Sequence, residues 1–174
     1  MKRILKILGL ILLVAFIVIQ FFRPAKNTNA DPAAFGKDIS NAYQVPDDVK
    51  LILQTSCYDC HSNNTTYPWY SNIQPVAWWL NDHILEGKKE VNFSEFASYK
   101  IGRKFKKIEE IIEQVADDEM PLSSYTRIHR NAILNKAQKL ILSSWATAIR
   151  DSMKVRYPAD SLKRPQKPQQ VASK

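Results

Sequence analysis

Two cysteines and a histidine in the run Cys57-Tyr58-Asp59-Cys60-His61 constrain this chain more than any other feature. Two cysteines separated by two residues, with a histidine beside the second, form the pattern of c-type haem attachment. The spacing suits this chemistry because one helical turn brings both thiols to the two vinyl groups on one edge of a porphyrin. The adjacent histidine then reaches the iron from the proximal side. The run therefore predicts one covalently bound haem c.

Other uses of a cysteine pair fit this sequence less well. A catalytic dithiol normally opens a helix in a βαβ unit, and no strand pattern surrounds the pair. A structural zinc ion needs four ligands, and the chain has only 2 cysteines. A disulfide between Cys57 and Cys60 is an alternative in an oxidising compartment, although it gives His61 no role.

The N-terminus of the chain predicts export or membrane anchoring. Lys2, Arg3 and Lys6 precede an uninterrupted apolar run, Ile7–Ile19. Positive charge before an apolar run keeps the start of a chain in the cytoplasm and places the remainder outside. We therefore expect residues 1–23 to form a helix in the cytoplasmic membrane, with a cleaved signal segment as the alternative. In either case the rest of the chain faces the periplasm or the cell exterior.

Composition divides the rest of the chain into three parts. Residues 24–45 are polar without a sustained period, and they predict a linker. Residues 46–153 contain the amphipathic segments and predict a haem-binding domain. Residues 154–174 are rich in Pro, Lys and Gln, and they lack the apolar side chains that a core needs. They predict a disordered basic tail.

Helical periodicity runs through residues 46–153 without an alternating strand pattern, so the chain predicts a mainly α fold. Four helices are expected: one from Pro46 into Cys57, Gln74–Glu86 with Gly87 just past its end, Arg103–Ala116, and Lys136–Arg150 with Asn135 as its N-cap. In the last helix, Leu140, Trp145 and Ile149 are among the residues expected to be buried.

Met120 is the residue that we expect on the distal side of the iron. Met120-Pro121 lies between the amphipathic helix and the last helix, a position similar to that of the thioether ligand in class I c-type cytochromes. A lone methionine more often fills a gap in a core, but acidic residues precede this one. The alternatives are His83, His129, Met153 and an open distal site.

An aromatic-rich stretch follows the cysteine pair. Its tryptophans Trp69, Trp78 and Trp79 could line the cofactor, because an apolar haem needs an apolar wall. Ordinary core packing is the alternative for the same residues.

The net charge of +8 does not indicate a nucleic-acid partner, because much of the excess lies at the two ends of the chain and because the chain carries an export signal. Basic residues beside the N-terminal helix are instead expected to contact anionic lipid headgroups, with an ordinary solvated surface as the equal alternative. A redox protein is the other expected partner, and the sequence does not identify it.

Three strings carry a resemblance to a known family. SCYDCHSNNTTYPWYSNIQPVAWWLNDHILEGKKEVNFSEF, followed by MPLSSYTRIH and LSSWA, resembles the bacterial haem-binding domain family over about Ile39–Ile149. The resemblance implies a small, often exported, single-haem domain that is related to class I cytochrome c. It implies thioether attachment at Cys57 and Cys60 and a proximal ligand at His61. Met120 matches the Met-Pro of the family.

These observations predict a membrane-tethered electron carrier whose iron is held by His61 and Met120. The alternative is a haem enzyme or sensor that binds a peroxide or a diatomic gas at an open distal site, with His83 or His129 as an acid or base. The sequence contains no further catalytic constellation, so an electron carrier is favoured over an enzyme.

Overall fold

The computed structural model describes residues 1–29 and 36–163. These residues form α-helices and short 3-10 helices, and the β-structure among them is one isolated bridge between Thr28 and Asn64. The α-helices are α1 (Lys2–Ile19), α2 (Asp47–Ser56), α3 (Tyr58–His61), α4 (Val76–Glu90), α5 (Ile101–Ala116), α6 (Ser123–Thr126), α7 (Lys136–Arg156) and α8 (Ala159–Leu162). The expected mainly α fold is confirmed.

The chain is divided into two compact units. The described residues of the first unit lie within Met1–Ala30 and Asp59–Asn92, and those of the second lie within Asp31–Tyr58 and Phe93–Lys174. The region that we expected to form one domain, residues 46–153, is therefore shared between them. The boundary falls inside the cysteine-containing run, between its second and third residues.

The apolar N-terminal segment is the helix α1, and residues 1–18 are all exposed. Among the described helices, none combines the length and the apolar composition that a membrane span requires. Lys2, Arg3 and Lys6 fall inside α1, so that its apolar part is shorter than the roughly 20 residues of a typical span. The structure therefore does not support the predicted membrane helix.

The described parts of the expected linker, residues 24–45, are folded. In the first unit, the backbone N–H of Asn27 donates to the hydroxyl of Tyr67 at 2.6 Å, and the N–H of Thr65 donates to the carbonyl of Asn27 at 3.0 Å. In the second unit, Ile39 is fully buried. The polar composition did not reveal these contacts because each depends on residues far away in the sequence.

The core of the second unit lies where α5 packs on α7. In α7 the buried residues are Leu142, Trp145, Ala146, Ile149 and Met153. The prediction was correct for Trp145 and Ile149 and wrong for Leu140, which is 69% exposed. The buried stripe follows the spacing of a single helix face, and Leu140 lies outside it.

The fold continues beyond residue 153, where we expected a disordered tail. Helix α7 ends at Arg156, and α8 follows with Leu162 buried. The chain passes close to α5 here. A Cβ on Gly102 would lie only 2.6 Å from the carbonyl oxygen of Lys163. Residues 164–174 of the expected tail lie outside the described residues.

Candidate functional site

Cys57 is the residue at which α2 ends. The helix begins after Pro46 with Asp47 and Asp48 in its first turn, where carboxylates interact favourably with the helix dipole. The backbone N–H of Cys57 donates to the carbonyl of Leu53 at 2.9 Å, and its φ of −127° takes the chain out of the helix. Cys57 is a half-buried thiol at the end of a well-formed helix.

Cys60 lies in α3, the single helical turn that follows. Helix α4 passes beside it at Gly87, where a Cβ would lie 2.8 Å from the carbonyl oxygen of Cys60. Burial raises the pKa of the Cys60 thiol to about 11, and the charge of Asp59 acts in the same direction. The side chain is therefore a neutral thiol at physiological pH.

Gly87 lies inside α4 and not beyond its end. The expected helix Gln74–Glu86 extends over Val76–Glu90 in the structure, so this glycine does not terminate it. An interior glycine costs a helix roughly 0.5–1 kcal/mol relative to alanine. The close approach to Cys60 explains the glycine, because any larger residue would push the helix away from α3.

The ring of His61 is oriented by two backbone carbonyls at the end of α4. Its Nδ1 lies 2.9 Å from the carbonyl oxygen of Gly87 and 3.0 Å from that of Val91. A carbonyl oxygen can only accept a hydrogen bond, so Nδ1 carries the proton and donates to both. In this tautomer the lone pair lies on Nε2, and neutral imidazole is the form that binds metals.

A loop folds back on α3 and holds the residues that follow the histidine. The hydroxyl of Thr65 donates to the carbonyl of Asp59 at 2.6 Å, and the N–H of Thr66 donates to Asp59 Oδ1 at 3.0 Å. Asn27 Nδ2 donates to the carbonyl of Ser62 and to Thr65 Oγ1, both at 2.9 Å. These bonds hold the backbone at Asp59, inside α3, and at Ser62, just after it.

Asn27 is the residue at this site that the sequence reasoning missed. Its Oδ1 accepts a hydrogen bond from Lys88 Nζ at 2.6 Å, so it joins the loop to α4 as well. Its neighbours in the sequence are polar, and the whole segment has the composition of a linker. No local signal distinguishes this asparagine from others in the same segment.

Tyr58, the second residue of the run, lies in the second unit. Its ring stacks on that of Phe93, with centroids 5.5 Å apart and an angle of 24° between the planes. Burial raises the pKa of Tyr58 above its ordinary range, and the charges of Asp38 and Cys57 add to this effect. Tyr58 therefore packs as a neutral aromatic side chain beside the first cysteine.

Met120 lies between α5 and α7, as the sequence predicted. Its backbone N–H donates to the carbonyl of Gln114 at 3.1 Å, and the residue is half-buried. Asp118 has a φ of 61°, the left-handed conformation in which the chain leaves α5. Asp tolerates this conformation better than most residues because its short side chain can bond locally.

The two histidines that we considered as alternative ligands both contact aromatic rings. Nδ1 of His83 lies 2.8 Å from the carbonyl oxygen of Trp79, and the two ring centroids are 4.2 Å apart. The ring of His129 stacks on Tyr125 at 4.2 Å with an interplanar angle of 11°. The ring stacking is typical of structural histidines, while the carbonyl contact of His83 is of the same kind as those of His61.

Met153, the other alternative, belongs to the core of the second unit. It is 2% exposed, and its sulfur accepts a hydrogen bond from the hydroxyl of Tyr43 at 3.3 Å. These contacts match the usual role of methionine as a side chain that fills a core.

The three tryptophans that we expected to line a haem are exposed in the structure. Trp69 is 76% exposed, Trp78 is 38% exposed and Trp79 is 43% exposed. The indole N–H of Trp78 donates to the carbonyl of Phe22 at 2.9 Å. Their role beside a haem stays a prediction.

The candidate residues are distributed over both units. Cys60, His61 and His83 lie in the first unit, and Cys57 and Met120 lie in the second. Within the two described ranges, no three side chains of His, Cys, Asp or Glu come together to hold a metal ion.

The chain matches the model of a known protein family. The model, described as a haem-binding domain, covers residues 14–148, which is more than half of the 174 residues. The matched region begins inside α1 and includes both the run Cys57–His61 and Met120. No curated protein and no solved structure gives a significant match.

Proposed function

We propose that this chain, which belongs to the haem-binding domain family, holds one covalently attached c-type haem and transfers electrons. Haem binding follows from membership of the family. The attachment, the two axial ligands and the electron transfer are the proposal. The observation that carries the proposal is that Nδ1 of His61 donates to two backbone carbonyls. This leaves the lone pair on Nε2, where it can bind a metal.

Cys57 and Cys60 would form the two thioether bonds. In each bond the S–H adds across a vinyl double bond, so that sulfur joins one carbon and the hydrogen joins the other. The addition consumes no oxidant or reductant. The addition would start from two thiols, and unlike the disulfide alternative it gives His61 a role.

His61 would bind the iron through Nε2. When bound, the haem supplies an iron that alternates between Fe(II) and Fe(III). The carbonyls of Gly87 and Val91 fix the ring and make the imidazole a stronger electron donor. A stronger donor stabilises Fe(III), so we expect these two contacts to lower the reduction potential.

Met120 would bind the opposite face of the iron. His83 and His129 each contact an aromatic ring, and Met153 is enclosed in the core of the second unit. Met120 is half-buried in the chain segment between α5 and α6. Ligation by histidine and methionine would suit an electron carrier, because it would leave no open site on the iron and would raise the potential.

The proposal places both units outside the cytoplasm, where c-type attachment would occur. The basic residues before the apolar run of α1 support this location. A redox protein that exchanges electrons with the haem is the proposed partner.

The test of the c-type attachment is the behaviour of the haem after denaturation. We expect the purified parent protein to keep its haem through acid–acetone extraction and on a denaturing gel. Cys57→Ala/Cys60→Ala should lose it, and each single variant should give a pyridine haemochrome spectrum typical of one thioether. Ser144→Ala, at an exposed position in α7, serves as the control. Haem that is extracted freely from the parent would contradict covalent attachment.

A further inference from the structure

The end of α1 is bonded to α4 through a buried glutamine. Gln74 is 0% exposed; its side chain donates to the carbonyl of Phe22 at 2.7 Å, and its backbone N–H donates to Gln20 Oε1 at 2.9 Å. The indole of Trp78 donates to the same carbonyl of Phe22 at 2.9 Å. These bonds lie within the first unit and join the segment that follows α1 to the start of α4.

A cavity of about 180 Å³ opens directly after this junction. The lining side chains that can donate hydrogen bonds to a ligand are Arg23, Lys26, Tyr67, Asn72 and Asn81, since the hydroxyl of Ser71 already donates to the carbonyl of Pro68. The described lining contains two cations and no carboxylate. Its charge and donors suit a phosphate group, which presents only acceptor oxygens.

Exposed aromatic side chains belong to residues that are close in the sequence to those lining the cavity. Phe21 is 82% exposed and Phe22 is 63% exposed, immediately before Arg23. Trp69 is 76% exposed and begins the 3-10 helix Trp69–Asn72, whose last two residues line the cavity. We call Phe21, Phe22, Arg23, Lys26, Trp69 and Trp78 the aromatic–cationic surface.

We propose that the aromatic–cationic surface docks on an anionic lipid bilayer, with the phosphate of a lipid headgroup in the cavity. Tryptophan is enriched at the interface between membrane and water, and lysine and arginine there are attracted to anionic lipids. The exposed apolar side chains of α1 lead directly into this surface, as a bilayer contact requires. The docking would hold the first unit against the membrane, and it does not depend on the bound haem.

Binding of the full chain to vesicles tests the two cations. We expect tighter binding to vesicles of phosphatidylcholine with phosphatidylglycerol than to phosphatidylcholine alone. Arg23→Ala/Lys26→Ala should weaken the binding to anionic vesicles by about fivefold for each cation removed. Arg127→Ala/Lys136→Ala, which removes the same charge from exposed positions in the second unit, should weaken it much less. An equal loss of binding in both double variants would overturn the proposal. It would indicate that anionic vesicles attract positive charge anywhere on the protein.

Fluorescence tests the aromatic side chains. Brominated lipid should quench the parent and Trp79→Phe equally, because Trp79 is an exposed tryptophan outside the surface. Trp69→Phe/Trp78→Phe should lose most of the quenching. If that variant instead changes the haem spectrum while vesicle binding and quenching persist, the tryptophans line the haem and the docking proposal fails. The proposal also fails if Arg23→Ala/Lys26→Ala abolishes the binding of inorganic phosphate but leaves vesicle binding unchanged.

Discussion

The carbonyl oxygen of Gly87 accepts the hydrogen bond of His61 Nδ1 at 2.9 Å, and the same residue passes so close to α3 that a Cβ would lie 2.8 Å from the carbonyl oxygen of Cys60. One glycine therefore controls both the orientation of the proposed iron ligand and the distance between two helices. A substitution at this glycine therefore tests both relationships, each by its own measurement.

Gly87→Ala should destabilise the protein by about 1–3 kcal/mol, the usual range for overpacking in a tight contact. The neighbouring backbone of Cys60 cannot rotate away as a side chain could, so α4 must shift. The shift would lengthen the hydrogen bonds to His61 and raise the reduction potential, since the imidazole becomes a weaker donor. Urea unfolding and a redox titration of the haem-loaded protein measure the two effects.

Gly36→Ala is the matched control for this substitution, because a Cβ at Gly36 meets nothing within 4 Å. It should change neither the free energy of unfolding nor the potential. A Gly87→Ala protein with the potential of the parent would show that the two carbonyls do not tune the histidine.

Asn135→Ala should destabilise the protein by about 1 kcal/mol, because it removes the N-cap of α7. The side chain of Asn135 accepts from the N–H of Gln138 at 2.9 Å, and the side chain of Gln138 accepts from the N–H of Asn135 at 3.0 Å. Lys136→Ala, at the exposed next position, is the control. Equal urea midpoints for the two variants would contradict a capping role.

Tyr43 should contribute to a fall in stability between pH 10 and 12. Burial raises the pKa of this phenol from 10.0 to about 12, and the neighbouring Tyr157 adds to the effect. In this window the unfolded chain has lost the phenol proton and the folded chain has kept it, so rising pH favours unfolding. Tyr43→Phe should reduce the slope of the unfolding free energy against pH in this window, as measured by urea unfolding. An unchanged slope would assign the effect to other groups.

Local patterns predicted the elements of the second unit well, because their signals lie within a few residues. The amphipathic period of Arg103–Ala116 predicted a helix that extends over Ile101–Ala116, and Asn135 was correctly predicted as an N-cap. The run of two cysteines and a histidine predicted a haem site, and the family confirms haem binding. In each case the residues that carry the signal are close together in the chain.

Contacts between distant residues explain what the sequence did not predict. Gly87 was expected just past the end of a helix because glycine is common at that position. In the structure, the close approach of Cys60 explains why this position is a glycine. Asn27 lies in a polar segment that is typical of a linker, and its bonds go to the loop near residue 65 and to Lys88. Leu140 fits a helical period, but the neighbouring helix decides which face is buried.

Met120→Ala decides between an electron carrier and a haem enzyme or sensor. A thioether ligand stabilises Fe(II) and gives a weak charge-transfer band in the far red for Fe(III). The substitution should remove that band, lower the reduction potential and allow carbon monoxide to bind the ferrous iron. His83→Ala and His129→Ala should keep the band if Met120 is the distal ligand, because both histidine rings pack on aromatic side chains.

The parent protein provides the comparison for these variants. If it holds both axial ligands, it should bind carbon monoxide slowly or not at all, as an electron carrier with an occupied distal position would. Rapid binding by the parent would show an open distal side and favour the enzyme or sensor. A spectrum that changes only with His83→Ala would indicate iron held by two histidines, and Met120 would then be a packing residue of its loop. Because the three variants remove one candidate ligand each, the spectra assign the distal position without reference to the fold.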